Sequence, residues 1–157
     1  MGGRAKLAGM VGATSAALLL TYVPQFEGVI LRGYKDPIGI ITACAGHTKT
    51  AVLGRPYTRA ECEKLLVDDL VEHLDGVLQC TPNLKGATGP LAAAGSFAYN
   101  VGVGAYCGST MARLFREGKV IEACAQLSRW TYAGGRQLPG LVTRRAAERR
   151  ICEGNLG

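Results

Sequence analysis

The 157-residue chain is long enough to bury one proper core and too short for two sizeable ones. With 48% hydrophobic and 19% charged residues it reads as globular, and its 22 glycines follow no three-residue period, which excludes a collagen-like chain. Eighteen Lys and Arg against 12 Asp and Glu leave a net charge of +6, favouring a polyanionic partner such as nucleic acid, anionic lipid or cell-wall polymer.

Leu7 to Phe26 is a run of 20 residues without a charge. As one helix it would cover about 30 Å, the thickness of a bilayer core. Arg4 and Lys6 precede it, the positive-inside arrangement that would carry the following chain outward. Gly9, Gly12, Thr14, Ser15, Thr21 and four alanines dilute Leu18, Leu19 and Leu20, so its hold on a bilayer would be marginal. Three readings stay open. A cleaved signal peptide needs its small-residue site after the apolar centre, yet Ser15-Ala16-Ala17 comes before the leucines. An ordinary buried first helix suits a Gly- and Ala-rich run. The reading preferred is a retained, weak anchor over 1–26, followed by a body over 27–157.

From Val29 to Tyr57, short apolar runs are interrupted by Gly33, Asp36-Pro37, Gly39, Gly46 and Gly54, which predicts a small antiparallel sheet. Thr58 with Glu61 is a capping box, and Leu66, Leu70, Leu74, Val77 and Leu78 predict a long helix over about 59–79. Of its carboxylates, all but Asp69 read as a solvated face. Gly89-Pro90 opens a core helix to about Asn100, with Ala92, Ala93, Ala94 and Gly95 small enough for close packing. Ser109 or Thr110 caps a short helix ending near Glu117, and a further helix covers Val120 to Trp130. Gly134-Gly135 and Pro139-Gly140 break the chain before a last, arginine-dense helix over about 141–153.

The six cysteines, 44, 62, 80, 107, 124 and 152, contain no CxxC pair, which argues against zinc fingers and thioredoxin-like sites. Buried thiols or up to three disulfides remain, and the even number with an exported location favours disulfides. No metal or cofactor is expected. Nucleic acid is set aside, because the arginines cluster in one C-terminal helix without interleaved aromatics.

Glu27 and Asp36, nine positions apart, are a weak signal alone. Glu27, eight residues, Asp36, five residues and Thr42 nevertheless match the catalytic spacing of bacteriophage-type lysozymes, glycoside hydrolase family 24. Thr42-Ala43-Cys44-Ala45-Gly46-His47-Thr48 resembles that family's Gly-His-Thr strand end, and Phe97-Ala98-Tyr99-Asn100-Val101-Gly102-Val103-Gly104 its core-helix motif. Trp130 to Gly135 and Leu138-Pro139-Gly140-Leu141-Val142 with Arg144-Arg145 complete the set in order, so the resemblance covers residues 26 to 153. The uncharged N-terminal run further resembles the signal-anchor-release endolysins of that family.

The resemblance implies an α+β, lysozyme-like fold: a small antiparallel sheet lobe and a mainly helical lobe with the cleft between them. It implies a muramidase that hydrolyses the β-1,4 bond between N-acetylmuramic acid and N-acetylglucosamine of peptidoglycan and so lyses the host. Glu27 is the candidate general acid, expected to be raised by burial beside Phe26 and Val29. Asp36, in a polar turn beside Lys35, is expected to stay ionised, and Thr42 would hold the attacking water in an inverting geometry. His47 reads as a structural partner of Asp69 rather than a proton shuttle. Arg144 and Arg145 would either touch the acid or sugar, or form a basic surface stripe. Asn100 would meet sugar or pack the core helix, and Trp130 reads as core.

The resemblance also implies export by residues 7–26 to the periplasmic face of the inner membrane, then release into the periplasm, with the protein a monomer. The run holds no cysteine, so a disulfide switch within the anchor is excluded. Because Glu27 follows the anchor directly, insertion would pin the acid at the bilayer and keep it from Asp36 and Thr42. Matching neighbouring elements pairs Cys44 with Cys62, Cys80 with Cys152 and Cys107 with Cys124. Two rival readings are a lytic transglycosylase, which would not need the second carboxylate, and a catalytically silent wall-binding protein.

Overall fold

A computed structural model describes residues 2–154. Its first two helices, α1 (Gly3–Val11) and α2 (Ala13–Glu27), meet at Gly12 with a 113° bend. Gly12 sits at φ +84°, a backbone conformation that a side chain disfavours, so the turn depends on glycine. The uncharged run is therefore not a straight 30 Å rod here, and no single helix among the described residues is long and apolar enough to cross a membrane. Leu7, Val11, Leu19 and Val23 are at most 1% exposed and share one core with the rest of the chain. Each of the two helices thus buries one face against the body.

The sheet lobe follows. Strand β1 (Ile30–Lys35) pairs antiparallel with β2 (Ile41–Cys44), Tyr34 opposite Thr42 and Lys35 opposite Ile41, with an irregularity between Ile30 and Tyr34. Residues 52–57 return along the other side of β1, through Gly33 N–H to Arg55 O and Tyr57 N–H to Leu31 O, each 2.9 Å. A Cβ on Gly33 would lie 1.8 Å from the Val52 carbonyl oxygen, so only glycine admits this approach.

Helix α3 (Arg59–Cys80) starts at a complete Thr58–Glu61 capping box and buries Leu66, Leu70, Leu74 and Val77 on one face. It packs on α4 (Thr88–Val101), whose residues Leu91 to Ala98 are all buried. A Cβ on Gly95 would stand 2.5 Å from Leu74 Cδ2, which is why small residues line this contact. Four further helices complete the lobe: α5 (Val103–Cys107), α6 (Thr110–Arg116, capped by Ser109), α7 (Val120–Gln126) and α8 (Pro139–Cys152). The predicted helix to Trp130 ends sooner, passing into a 3-10 turn over Leu127–Arg129. Trp130 packs edge-on against Phe97 at 5.0 Å. Gly134-Gly135, read only as a break, turns a second small hairpin of β3 (Tyr132–Ala133) and β4 (Arg136–Gln137), with both glycines at positive φ.

All six cysteines are paired: Cys44–Cys62, Cys80–Cys107 and Cys124–Cys152. The first agrees with the expectation, and the other two correct it. The last turn of α3 faces α5, which brings Cys80 to Cys107, and α7 packs on the end of α8, which brings Cys124 to Cys152. Nonreducing peptide mapping of the oxidised protein will therefore recover Cys80–Cys107 and Cys124–Cys152 peptides, and none joining Cys80 to Cys152.

Candidate active site

Glu27 is the last residue of α2, and Gly28 at φ +77° turns the chain into the sheet lobe. This places the carboxylate at the junction of the two lobes. Arg144 Nη1 of α8 donates to Glu27 Oε1 at 2.5 Å. The other oxygen faces Gly46, where an added Cβ would come within 3.3 Å of it. The Tyr99 hydroxyl of α4 donates to Ala45 O at 2.6 Å and fixes the 44–46 turn beside the acid. Burial, with Asp69 and Glu27 nearby, raises the Tyr99 phenol well above its ordinary value, so it remains a donor.

The expected apolar pocket around Glu27 is corrected. Val29 is 38% exposed, and the Phe26 ring lies 5.1 Å from the Arg144 guanidinium carbon. What surrounds the acid is an ion pair at a half-buried site, with an aromatic face behind the arginine. A groove of about 480 Å³ opens beside it, between the end of α2 (Gln25, Phe26, Glu27) and the start of α8 (Leu138, Gly140, Leu141, Thr143), with Asn100 on its wall.

Asp36 and Thr42 both belong to the β1–β2 hairpin. Asp36 follows β1, and its Oδ1 accepts from the backbone N–H of Ile38 at 3.0 Å and of Ile40 at 2.8 Å. The side chain thereby closes the tight turn, which is why a short acid rather than a longer one suits it. Thr42 is 6% exposed, and its hydroxyl donates to Ile40 O at 3.0 Å. From Thr42 the strand runs through the 44–46 turn to Gly46, against Glu27, so one short segment links hairpin and acid.

His47 Nδ1 lies 2.7 Å from Asp69 Oδ2, while Nε2 accepts from Thr50 N–H at 3.1 Å. With Nε2 an acceptor, the ring proton sits on Nδ1 and is given to Asp69, which leaves no nitrogen to shuttle protons. Burial raises the Asp69 carboxyl above its ordinary value, against the opposing pull of His47. Among the described residues no group of three His, Cys, Asp or Glu side chains stands ready for a metal ion.

The basic stripe reading of Arg144 and Arg145 is also corrected: they are 3% and 1% exposed. Arg145 Nε donates to Trp130 O at 3.0 Å, and its Nη2 donates to Asn100 Oδ1. Burial holds its guanidinium below the ordinary arginine value, opposed by the adjacent Glu148. Sequence reading passed over Glu148, which is 1% exposed and bonded to both arginines. Its signal was present in the spacing: Arg144 lies four residues before it and Arg145 three, so all three share one helix face.

A helix-borne glutamate beside a groove, at the point where a mainly helical lobe meets a small antiparallel hairpin, is an arrangement that suits a lysozyme-like fold. The chain matches the model of the phage lysozyme family over residues 24–148 and belongs to that family. It is 44% identical over 151 residues to the SAR-endolysin of Enterobacteria phage PA-2, covering 90% of this chain and 88% of that one. It is 45% identical over 149 residues to the SAR-endolysin of Bacteriophage PS119, covering 90% and 87%. The solved muramidase domain of SpmX from Asticaccaulis excentricus superposes with a TM-score of 0.76 at 29% identity, covering 86% of this chain and 94% of that domain. The protein is accordingly a glycoside hydrolase of the endolysin type.

Arg144→Met removes the cation between two carboxylates. Unfolding free energy will fall by about 3 kcal/mol, the cost of breaking a buried ion pair from one side, as read from denaturant titration of the oxidised protein.

Proposed function

We propose that this endolysin cleaves the β-1,4 bond between N-acetylmuramic acid and N-acetylglucosamine with Glu27 as general acid and with Asp36 and Thr42 handling the water. The observation that carries the reading is the placement of Glu27 at the lobe junction, on a groove, with Arg144 holding Oε1 and the Thr42–Gly46 segment reaching the other oxygen. Cleavage needs a proton for the leaving oxygen, which Glu27 supplies, and a nucleophilic water on the opposite face of the sugar. The Thr42 hydroxyl gives its proton to Ile40 O, so its oxygen accepts a hydrogen bond from that water. Asp36 has Oδ1 committed to two backbone amides, which orients Oδ2 as the base atom.

The same reading covers the N-terminal segment. Its SAR-endolysin relatives support export by a signal anchor and release into the periplasm. Residues 7–26 lie straight in the inner membrane before release, and afterwards bend at Gly12 and dock α1 and α2 onto the body, which then works as a monomer. Residues 1–26 and 27–157 are thus separate units while the anchor is inserted and one core once it is released. Glu27 reaches its place only in the second state, because it is the last residue of the helix that moves.

Two experiments test this. Glu27→Gln will lower the release of reducing ends from purified peptidoglycan by at least about a thousandfold, within the range general acid catalysis supplies with its positioning. Products of the unmutated protein will be hydrated sugars, whereas anhydro products identify a transglycosylase. Separately, Gly9→Leu adds apolar surface where a Cβ meets nothing within 4 Å, so it strengthens the anchor without disturbing the docked state. Membrane fractionation will show more of this variant retained, and the purified released form will keep full activity.

A further inference from the structure

We propose that Glu148 is a positioning residue for the acid: it aims the Arg144 guanidinium at Glu27 and sets the charge that Glu27 experiences. The proposal rests on the reading of Glu27 as the acid. Glu148 lies within α8 at 1% exposure, out of reach of a glycan. Its carboxylate accepts from Ser96 Oγ at 2.5 Å, Arg144 Nε at 3.2 Å and Arg145 Nη1 at 2.5 Å.

Arg144 distributes its three nitrogens in turn. Nε goes to Glu148, Nη2 to the Ser96 carbonyl oxygen at 3.0 Å, and Nη1 to Glu27. A guanidinium is planar and rigid, so two buried contacts at one end fix the direction of the third. Among the described residues, the one other carboxylate bonded to Arg144 is Glu27 itself. Two guanidinium groups and two carboxylates make the cluster neutral, and Glu148 supplies half of its negative charge.

The remaining groups around Glu27 do not replace that charge. From α4 come Tyr99, whose hydroxyl is given to Ala45 O, and the backbone of Ser96. From the sheet lobe comes the Gly46 backbone. On α3, Asp69 and His73 stand behind the Tyr99 ring, with the His73 ring tilted against it at 5.0 Å and Asp69 engaged by His47. Without Glu148 the cluster carries one excess positive charge beside Glu27, which favours the ionised acid over the protonated form that catalysis needs.

The test uses the full chain in its oxidised, released form, with Glu148→Gln, Glu148→Asp and Glu27→Gln measured on soluble peptidoglycan fragments. Glu148→Gln is expected to lower kcat about tenfold or more with KM within about twofold, and to move the alkaline limb of the rate profile about one pH unit toward acid. Glu148→Asp keeps the charge while retracting the carboxylate, so kcat falls but the limb stays in place. In parallel, the Glu27 side-chain carboxyl, followed by carbon NMR without substrate, will titrate at lower pH in Glu148→Gln than in the unmutated protein.

A folded Glu148→Gln protein with unchanged kcat and limb overturns the proposal. So does a loss of activity in which the limb and the Glu27 titration both stay where they were, since that is a purely structural role. If Glu148→Gln does not fold, Glu148→Asp decides by how it divides its effect: kcat reduced with KM within about twofold supports the proposal, and unreduced kcat, or kcat and KM disturbed together, overturns it. Should Glu27→Gln retain activity, the reading of the acid has failed, and the NMR titration still reports whether Glu148 governs that carboxyl.

Discussion

The ion pair between Glu27 and Arg144 joins the two ends of the described chain. Glu27 closes the second helix and Arg144 lies in the last, 117 positions apart, so the contact exists only when both helices are docked on α4. Around it the structure spends its buried polar groups on one task. Ser96, Asn100, Arg145 and Glu148 satisfy one another, and among the described residues no buried side-chain nitrogen or oxygen lacks a partner. Such a network is costly to half-complete, because each missing member leaves a buried charge or dipole unpaired. Loss of one member therefore weakens the arrangement of the others.

On the signal-anchor reading proposed above, this constraint gives the weak hydrophobicity of the N-terminal run a physical purpose. A strongly apolar segment would hold to the bilayer, while a polar one would not insert. Glycine, alanine and threonine dilute the leucines enough for the segment to suit a protein core as well, where Leu7, Val11, Leu19 and Val23 supply the apolar face. Gly12 permits the bend between α1 and α2. Because Glu27 terminates this segment, the same packing that completes the core brings Glu27 to Arg144.

Much of the scaffold was legible from local signals. The Thr58–Glu61 box placed the start of α3, and the small residues of α4 announced its close packing, since both depend on neighbours within a few positions. The Glu27, Asp36 and Thr42 spacing was visible because the hairpin that carries the last two is itself local. Less legible were groups whose meaning lies across the fold. For Arg144 and Arg145 the sequence left open contact with the acid or sugar and a surface stripe, because charge on a helix is ordinarily solvated and nothing nearby in sequence says that Ser96 and Asn100 wait opposite. The cysteine partners went astray for the same reason: adjacency along the chain paired Cys107 with Cys124, whereas helix packing turned each toward a different neighbour.

The sequence by itself determined the periodicities, caps and turns that make this an α+β chain, the uncharged run at its start, and the ordered motifs that mark its family. These follow from side-chain chemistry acting over short stretches of backbone. Tertiary structure alone decided that the uncharged run folds into two core helices, that Glu27 is set by an arginine rather than by apolar burial, and that Glu148 stands behind that arginine. Those outcomes depend on which distant groups share a low-dielectric interior, where a charge must find its counterpart, and chain spacing carries no record of that.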